Sequence, residues 1–220
     1  MYPIYSHSRT GVLKHVCSLG GDIDRCITDY NQPGNAEKFE ENAQSLEYKA
    51  PLYCAQMLAG MLVHSRKQAK ILDIASGPGQ VGRELNKVGF DHVHAHDGSW
   101  AMLEVCRQKD IYKEFICCVI DDDNGLPVKD GFYDAVITSG AVLEHHLPVT
   151  SQTEFVRVTK PGGHCVIAYS SDVLNTDYGQ SWEKESRRLE TDGVWKTHCK
   201  MVIPDYYINM TGVIDVFQVL

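Results

Sequence analysis

Between residues 69 and 193 the chain alternates between two hydrophobic patterns. Short apolar runs bounded by turn residues read as buried strands. They are AKILDIA at 69–75, DHVHAH at 91–96, EFICCVI at 114–120, part of GFYDAVITSG at 131–140, and HCVIAYS at 164–170. Between them QVGRELNKVG, SWAMLEVCRQK and TSQTEFVRVTK read as helices, and SWEKESRRLETDG follows as another. Ser99 stands where a helix N-cap belongs. Strict strand–helix alternation means a parallel sheet covered on both faces. CKMVIP and VIDVFQVL then follow closely as two final strands, an antiparallel edge pair. The pattern therefore predicts an α/β, doubly wound, mostly parallel seven-stranded sheet.

Upstream the pattern is weaker. LGGD at 19–22 and QPGN at 32–35 are turn signals, and residues 1–35 read as a flexible lead. Residues 36–220 form one domain, in which 36–66 is a helical cap or entry region. There Asn35 is a candidate cap for a helix over 38–50. Pro51 fits the first turn of a second helix that runs through LYCAQMLAGML.

Length and composition narrow the function. A chain of 220 residues supports one substantial core. With 29 acidic against 21 basic residues it carries no overall charge signal for nucleic acid, and none is expected as a partner. No apolar run reaches the roughly 20 residues that span a bilayer, so no membrane partner is expected either. The eight cysteines lack CxxC spacing, and MYPIYSHSRT does not read as a secretory leader. The expected setting is reduced and cytoplasmic. Monomer and homodimer both stay open.

The chemistry concentrates in LDIASGPGQVG, where Gly77, Gly79 and Gly82 spell GxGxxG and Asp97 follows 20 residues after Gly77. That spacing is the dinucleotide fingerprint, so a nicotinamide-dependent oxidoreductase is one reading. Asp73 favours another. A carboxylate inside the first strand suits a cationic ligand group better than a pyrophosphate; capping of its own loop amides is the structural alternative. His92, His94 and His96 alternate, so one strand face would carry all three, as in a zinc site. No fourth ligand is offered by local spacing, and no metal is expected.

Four pieces in order carry a family resemblance: ILDIASGPG, HDGSWAML, DDDNGLPVKDGFYDAVITSGAVLEH and EFVRVTKPGGHCVIA. Together they resemble the class I S-adenosylmethionine-dependent methyltransferases, and YKAP at 48–51 with DGSWAML resembles a methyltransferase-like branch of that family. The resemblance implies a Rossmann-like methyltransferase fold with S-adenosylmethionine as cofactor and S-adenosylhomocysteine as product. It implies Asp73, Gly77 and Gly79 around the methionine half, with Ala75 where the family often has glycine. It implies Asp97 on the ribose hydroxyls and Gly98 against the adenine. Met102 is a candidate pad for the ring. Asp122 would meet the adenine amino group, and Asp123 would offer its backbone amide. Thr138, Ser139 and Gly140 would floor the methyl position.

An ionised carboxylate has acceptors only and a vicinal diol supplies two donors, so Asp97 suits a ribose on chemical grounds alone. For proton handling Glu144, His145 and His146 are candidates, and His145 is the choice. The acceptor is expected to be a small molecule, with a protein side chain second. Aromatic residues outside the motifs, among them Tyr30, Tyr48, Tyr206 and Tyr207, are candidate pocket walls. A non-catalytic protein that keeps the fold and the cofactor is the remaining alternative.

Overall fold

The structure, a computed structural model, describes residues 23–122 and 124–220. Three helices come first: α1 Ile23–Tyr30, α2 Asn35–Ser45 and α3 Ala50–Met61. Then follow β1 Lys70–Ile74, α4 Gln80–Lys87, β2 His92–Asp97, α5 Trp100–Arg107, β3 Glu114–Cys117, β4 Tyr133–Ser139, α6 Ser151–Val158 and β5 Thr159–Ser170. A 3-10 turn at Ser171–Asn175 leads into α7 Asp177–Thr191, and β6 Trp195–Tyr207 and β7 Met210–Val219 close the chain.

The strands form one seven-stranded sheet in the order β3-β2-β1-β4-β5-β7-β6. Strands β1 to β5 pair in parallel. β7 runs antiparallel to both β5 and β6. This is the Rossmann-like class I methyltransferase fold, with the antiparallel pair at its C-terminal edge. The order reverses between β1 and β4, and ligands of open α/β sheets bind outside the carboxyl ends of strands at such a switch point.

Strand alternation sorts the core into two layers. Ile71, Val93, Ala95, Ala135, Ile137 and Val166 pack beneath α3, α4 and α5. Leu72, Ile74, Val136, Ile167, Phe155 and Trp182 pack on the other side with α6 and α7. By the same parity Asp73 falls on the Ile71 side, inside the layer under α4.

The local elements follow their sequence signals closely. Ser99 caps α5, its hydroxyl accepting the Met102 amide at 3.2 Å, and Pro51 lies in the first turn of α3. Two expectations need correction. Asn35 is the first residue of α2, not its cap; Gly34 holds that position at φ 83°, and the Asn35 amide donates to the Asp29 carbonyl. Residues 23–30 form a helix inside the stretch read as a loose lead, because Cys26 is buried and Ile23, Ile27 and Tyr30 face the cleft described below. Residues 1–22 of that stretch lie outside the described residues.

Candidate functional site

An open cleft lies over the carboxyl ends of β1, β2 and β4. Its floor carries Ala75, Ser76, Gly77, Asp97, Gly98 and Ser139. Its opposite wall comes from α1, α2, the loop 141–147 and Tyr207.

The loop after β1 is shaped by backbone conformation. Ala75, Gly77 and Gly79 all have positive φ, at 53°, 53° and 92°. Alanine is strained there by about 1–2 kcal/mol, which accounts for the glycine preference at position 75. The three glycines of GxGxxG do different work. A Cβ on Gly77 would meet nothing within 4 Å, so Gly77 opens onto the cleft. A Cβ on Gly79 would lie 2.8 Å from Ile111 Cδ1, and one on Gly82 2.2 Å from Tyr112 Cζ. Gly79 and Gly82 therefore serve close packing of α4 against the end of α5 and the Ile111–Tyr112 loop that follows it, and Gly79 does not line the cleft.

Asp97 ends β2 with one oxygen accepting the Gly77 amide and the other the Ser99 amide, both at 2.8 Å. Each oxygen keeps a lone pair for a further donor. Burial raises its carboxyl to about 6, with the two amides opposing that shift. Gly98 beside it leaves no room for a side chain, since a Cβ would lie 2.8 Å from Ile27 Cδ1 of α1. Met102 also reaches the lining.

Asp73 is not where the resemblance puts it. It is fully buried beneath the loop and outside the cleft lining. Its Oδ2 accepts the Tyr112 hydroxyl at 2.5 Å, and that hydroxyl in turn accepts the Gly82 amide at 3.1 Å. Burial pushes Asp73 up to about 7. Tyr112 escaped the sequence reading because a lone tyrosine between a helix and a strand has no periodic signal. The Oδ1 of Asp73, the hydroxyl of Ser76 and that of Thr138 are buried without partners. Buried polar atoms in folded proteins are rarely left so.

The histidines of β2 have structural roles. His94 Nδ1 meets the Tyr133 hydroxyl at 3.1 Å. His96 Nε2 is 3.0 Å from the Cys118 carbonyl and Nδ1 3.4 Å from the Ala75 amide. A carbonyl only accepts, so Nε2 carries the proton and Nδ1 receives the amide. Burial lowers His96 to about 4, which keeps the ring neutral. It thereby ties the tips of β1, β2 and β3 together.

Asp122 is exposed, accepts the Thr150 hydroxyl at 2.6 Å and borders a shallower neighbouring depression. It is not brought to the cleft; Cys118, Val119 and Ile120 are, because the third strand leaves the ladder after Cys117. Asp123 lies outside the described residues. Ser139 does line the cleft, and its hydroxyl lies 2.7 Å from that of Tyr48. Tyr48 also donates to Tyr206 at 3.3 Å and stacks on Tyr207. His145 lines the cleft in a left-handed conformation, φ 68°. His146 is held between the Tyr30 hydroxyl at 3.0 Å and the Glu144 carbonyl at 3.2 Å.

Residues 72–167, the stretch that builds this floor, match the family model described as a methyltransferase domain. Over those residues the chain is similar to a methyltransferase domain. Around that domain, methyltransferase-like protein 27 of Homo sapiens is 32% identical over 161 residues, 73% of this chain and 65% of that protein. The demethylmenaquinone methyltransferase of Renibacterium salmoninarum is 35% identical over 99 residues, 45% of this chain and 40% of that protein. The match thus spans less than two thirds of either relative. Among solved structures, a chain from the complex of the Haloferax volcanii Trm112 methyltransferase activator with a methyltransferase superposes with TM-score 0.62 at 16% identity. It covers 88% of this chain and 96% of that one. The TehB-like methyltransferase of Corynebacterium glutamicum gives 0.58 at 17% identity, covering 86% and 100%. The [4+2]-cyclase SpnF shares the fold at TM-score 0.56, so the methyltransferase domain's architecture alone does not specify the reaction.

Proposed function

We propose that the protein transfers a methyl group from S-adenosylmethionine to a small-molecule acceptor. Asp97 carries this reading: a half-buried carboxylate at the tip of β2, beside the Gly77 amide, with one lone pair free on each oxygen. Those lone pairs would receive the ribose diol, each charge-assisted bond contributing roughly 1.5–3 kcal/mol. Gly77 and Ser76 would face the methionine half, where the unpartnered Ser76 hydroxyl supplies a polar contact. Gly98, Met102 and the chain at Cys118–Ile120 would hold the adenine. Asp73 would act from below, through its hold on Tyr112, and not by contact. The residues present therefore fit the cofactor.

When bound, S-adenosylmethionine supplies an electrophilic methyl on a sulfonium. The chain's task is then to exclude water and align the acceptor. Ser139, fixed by Tyr48, and Gly140 would floor the reacting position, and His145 is a candidate proton acceptor on the wall. Residues 36–66 would serve as the entry wall, since Phe39, Asn42, Leu46 and Tyr48 line the cleft. Kinship with the methyltransferase-like branch that holds methyltransferase-like protein 27 belongs to the same proposal. So does a reduced, cytoplasmic setting.

The test is ligand-induced stabilisation with each nucleotide, since a ligand of the native state raises the melting temperature by mass action. S-adenosylhomocysteine is expected to shift the curve and NAD and NADP to leave it in place. A shift with NAD alone would return the protein to the oxidoreductase reading. Labelled methyl donor with a panel of small acceptors then finds the substrate.

A further inference from the structure

The roof of the cleft holds a hydrogen-bonded pair that the motif stretch does not contain. Tyr30, from α1, meets His146, 116 residues away, with 3.0 Å between the hydroxyl and Nε2. The other ring nitrogen of His146 faces the Glu144 carbonyl at 3.2 Å. A carbonyl cannot donate, so Nδ1 carries the proton. Nε2 is then a bare acceptor, and the Tyr30 hydroxyl donates to it. Both residues line the cleft. Asp97, Tyr48 and Tyr207 line the same cleft, and Tyr48 ties Tyr206 and Tyr207 into one aromatic cluster. Burial holds the His146 imidazole below its ordinary value and the Tyr30 phenol well above its own, so both are neutral near pH 7.

The surroundings speak to the acceptor. Ile23, Ile27, Phe39, Leu46, Leu143 and Leu147 supply apolar walls. Among the described residues of the lining, Asp97 is the only Asp, Glu, Lys or Arg, and the ribose would use it. An anionic acceptor meets no Lys or Arg among the described lining residues, and buried unpaired charge is expensive.

We propose that Tyr30 receives the hydroxyl of a neutral, largely apolar acceptor and that His146 behind it takes up the proton released on methylation. This rests on the methyltransferase reading above and names its substrate class. As the acceptor oxygen bonds to the methyl carbon, the carbon–sulfur bond breaks and its electron pair stays on sulfur. The acceptor's proton passes to the Tyr30 oxygen, and the Tyr30 proton passes to Nε2. The products are a methyl ether, a neutral thioether and an imidazolium, so the single positive charge moves from sulfur to His146.

The test uses the whole protein saturated with S-adenosylhomocysteine, with 2-naphthol as the neutral hydroxyl probe and 2-naphthoate as its anionic counterpart. Nitrogen-15 NMR of the histidine rings is expected to show His146 with its proton on Nδ1. Adding 2-naphthol should shift the Nε2 signal, and 2-naphthoate should leave it in place. Tyr30→Phe should abolish the 2-naphthol response while keeping the S-adenosylhomocysteine melting shift, which reports that the variant folds. An Nε2-protonated His146, no response to 2-naphthol, an equal response to 2-naphthoate, or a response that survives Tyr30→Phe would each overturn the proposal. Failure of S-adenosylhomocysteine to bind the unaltered protein would instead remove the reading beneath it.

Discussion

The floor and the roof of the cleft are built on different principles. The floor is a set of strand tips, Ala75 to Gly77, Asp97 to Gly98 and Ser139, held in register by parallel pairing of β2, β1 and β4. Its supports are buried and short-range in space: Tyr112 on Asp73 and His96 across three strands. The roof collects Tyr30, Tyr48, His146 and Tyr207 from elements far apart in sequence, joined by side-chain hydrogen bonds and ring contacts. The floor belongs to the segment that matches the methyltransferase domain; much of the roof lies outside it. On the proposed reading, the floor would seat the cofactor and the roof would select the acceptor.

The contrast predicts where substitutions will hurt. The largest effect should come from Gly82→Val. Its side chain would enter the space of Tyr112, whose ring is fixed by two hydrogen bonds. Overpacking of this kind costs about 3 kcal/mol, to be read from denaturant unfolding. Gly77→Ala, opening onto free space, should cost only about 1–2 kcal/mol through its positive φ. Equal losses at the two glycines would erase the distinction between packing and cleft-facing positions.

Next comes Tyr112→Phe. It strips a partner from the Asp73 carboxyl and from the Gly82 amide, at about 1–3 kcal/mol of stability by the same measurement. A neutral result would mean that Asp73 finds its partner elsewhere.

The third is a pH dependence. Asp97 is raised to about 6 in the ligand-free protein, and a protonated carboxyl offers fewer acceptors to a diol. Binding therefore releases a proton at acid pH, and affinity for S-adenosylhomocysteine should rise through pH 6 and level off above about 7. Below that window the loss should approach tenfold per pH unit in calorimetric titration. A flat profile from pH 5 to 8 would show that the ionised form is not required.

The smallest effect is expected at the roof. Tyr48→Phe removes the hydroxyl that bonds both Ser139 and Tyr206, worth about 0.5–1.5 kcal/mol. Affinity for S-adenosylhomocysteine should stay within about twofold. A tenfold fall would make Tyr48 part of the cofactor seat.

This division also explains what the sequence could and could not disclose. Apolar runs and turn signals placed the strands because a buried parallel strand needs a continuous apolar stretch. Asp97, Gly77 and the Ser99 cap were legible because each is fixed by its distance from a strand end. Asp73 was misplaced because its neighbours Ile71, Leu72 and Ile74 are apolar on both faces, so alternation left no mark of which layer it enters. Asp122 was preferred at the third strand because acids are conspicuous. The strand instead frays after Cys117, and Cys118 to Ile120 turn to the cleft. His145 and His146 both line the cleft, and nothing local in the sequence separates them. The contact of His146 with Tyr30 was illegible because that tyrosine sits on a helix whose eight residues lie in a stretch dominated by turn signals.

The most direct test is calorimetric titration of S-adenosylhomocysteine into the protein and its Asp97→Ala variant at pH 8. Each diol bond lost should weaken binding roughly 10- to 150-fold, the equivalent of about 1.5–3 kcal/mol. Equal affinity of the two proteins would place the nucleoside somewhere other than the tip of β2.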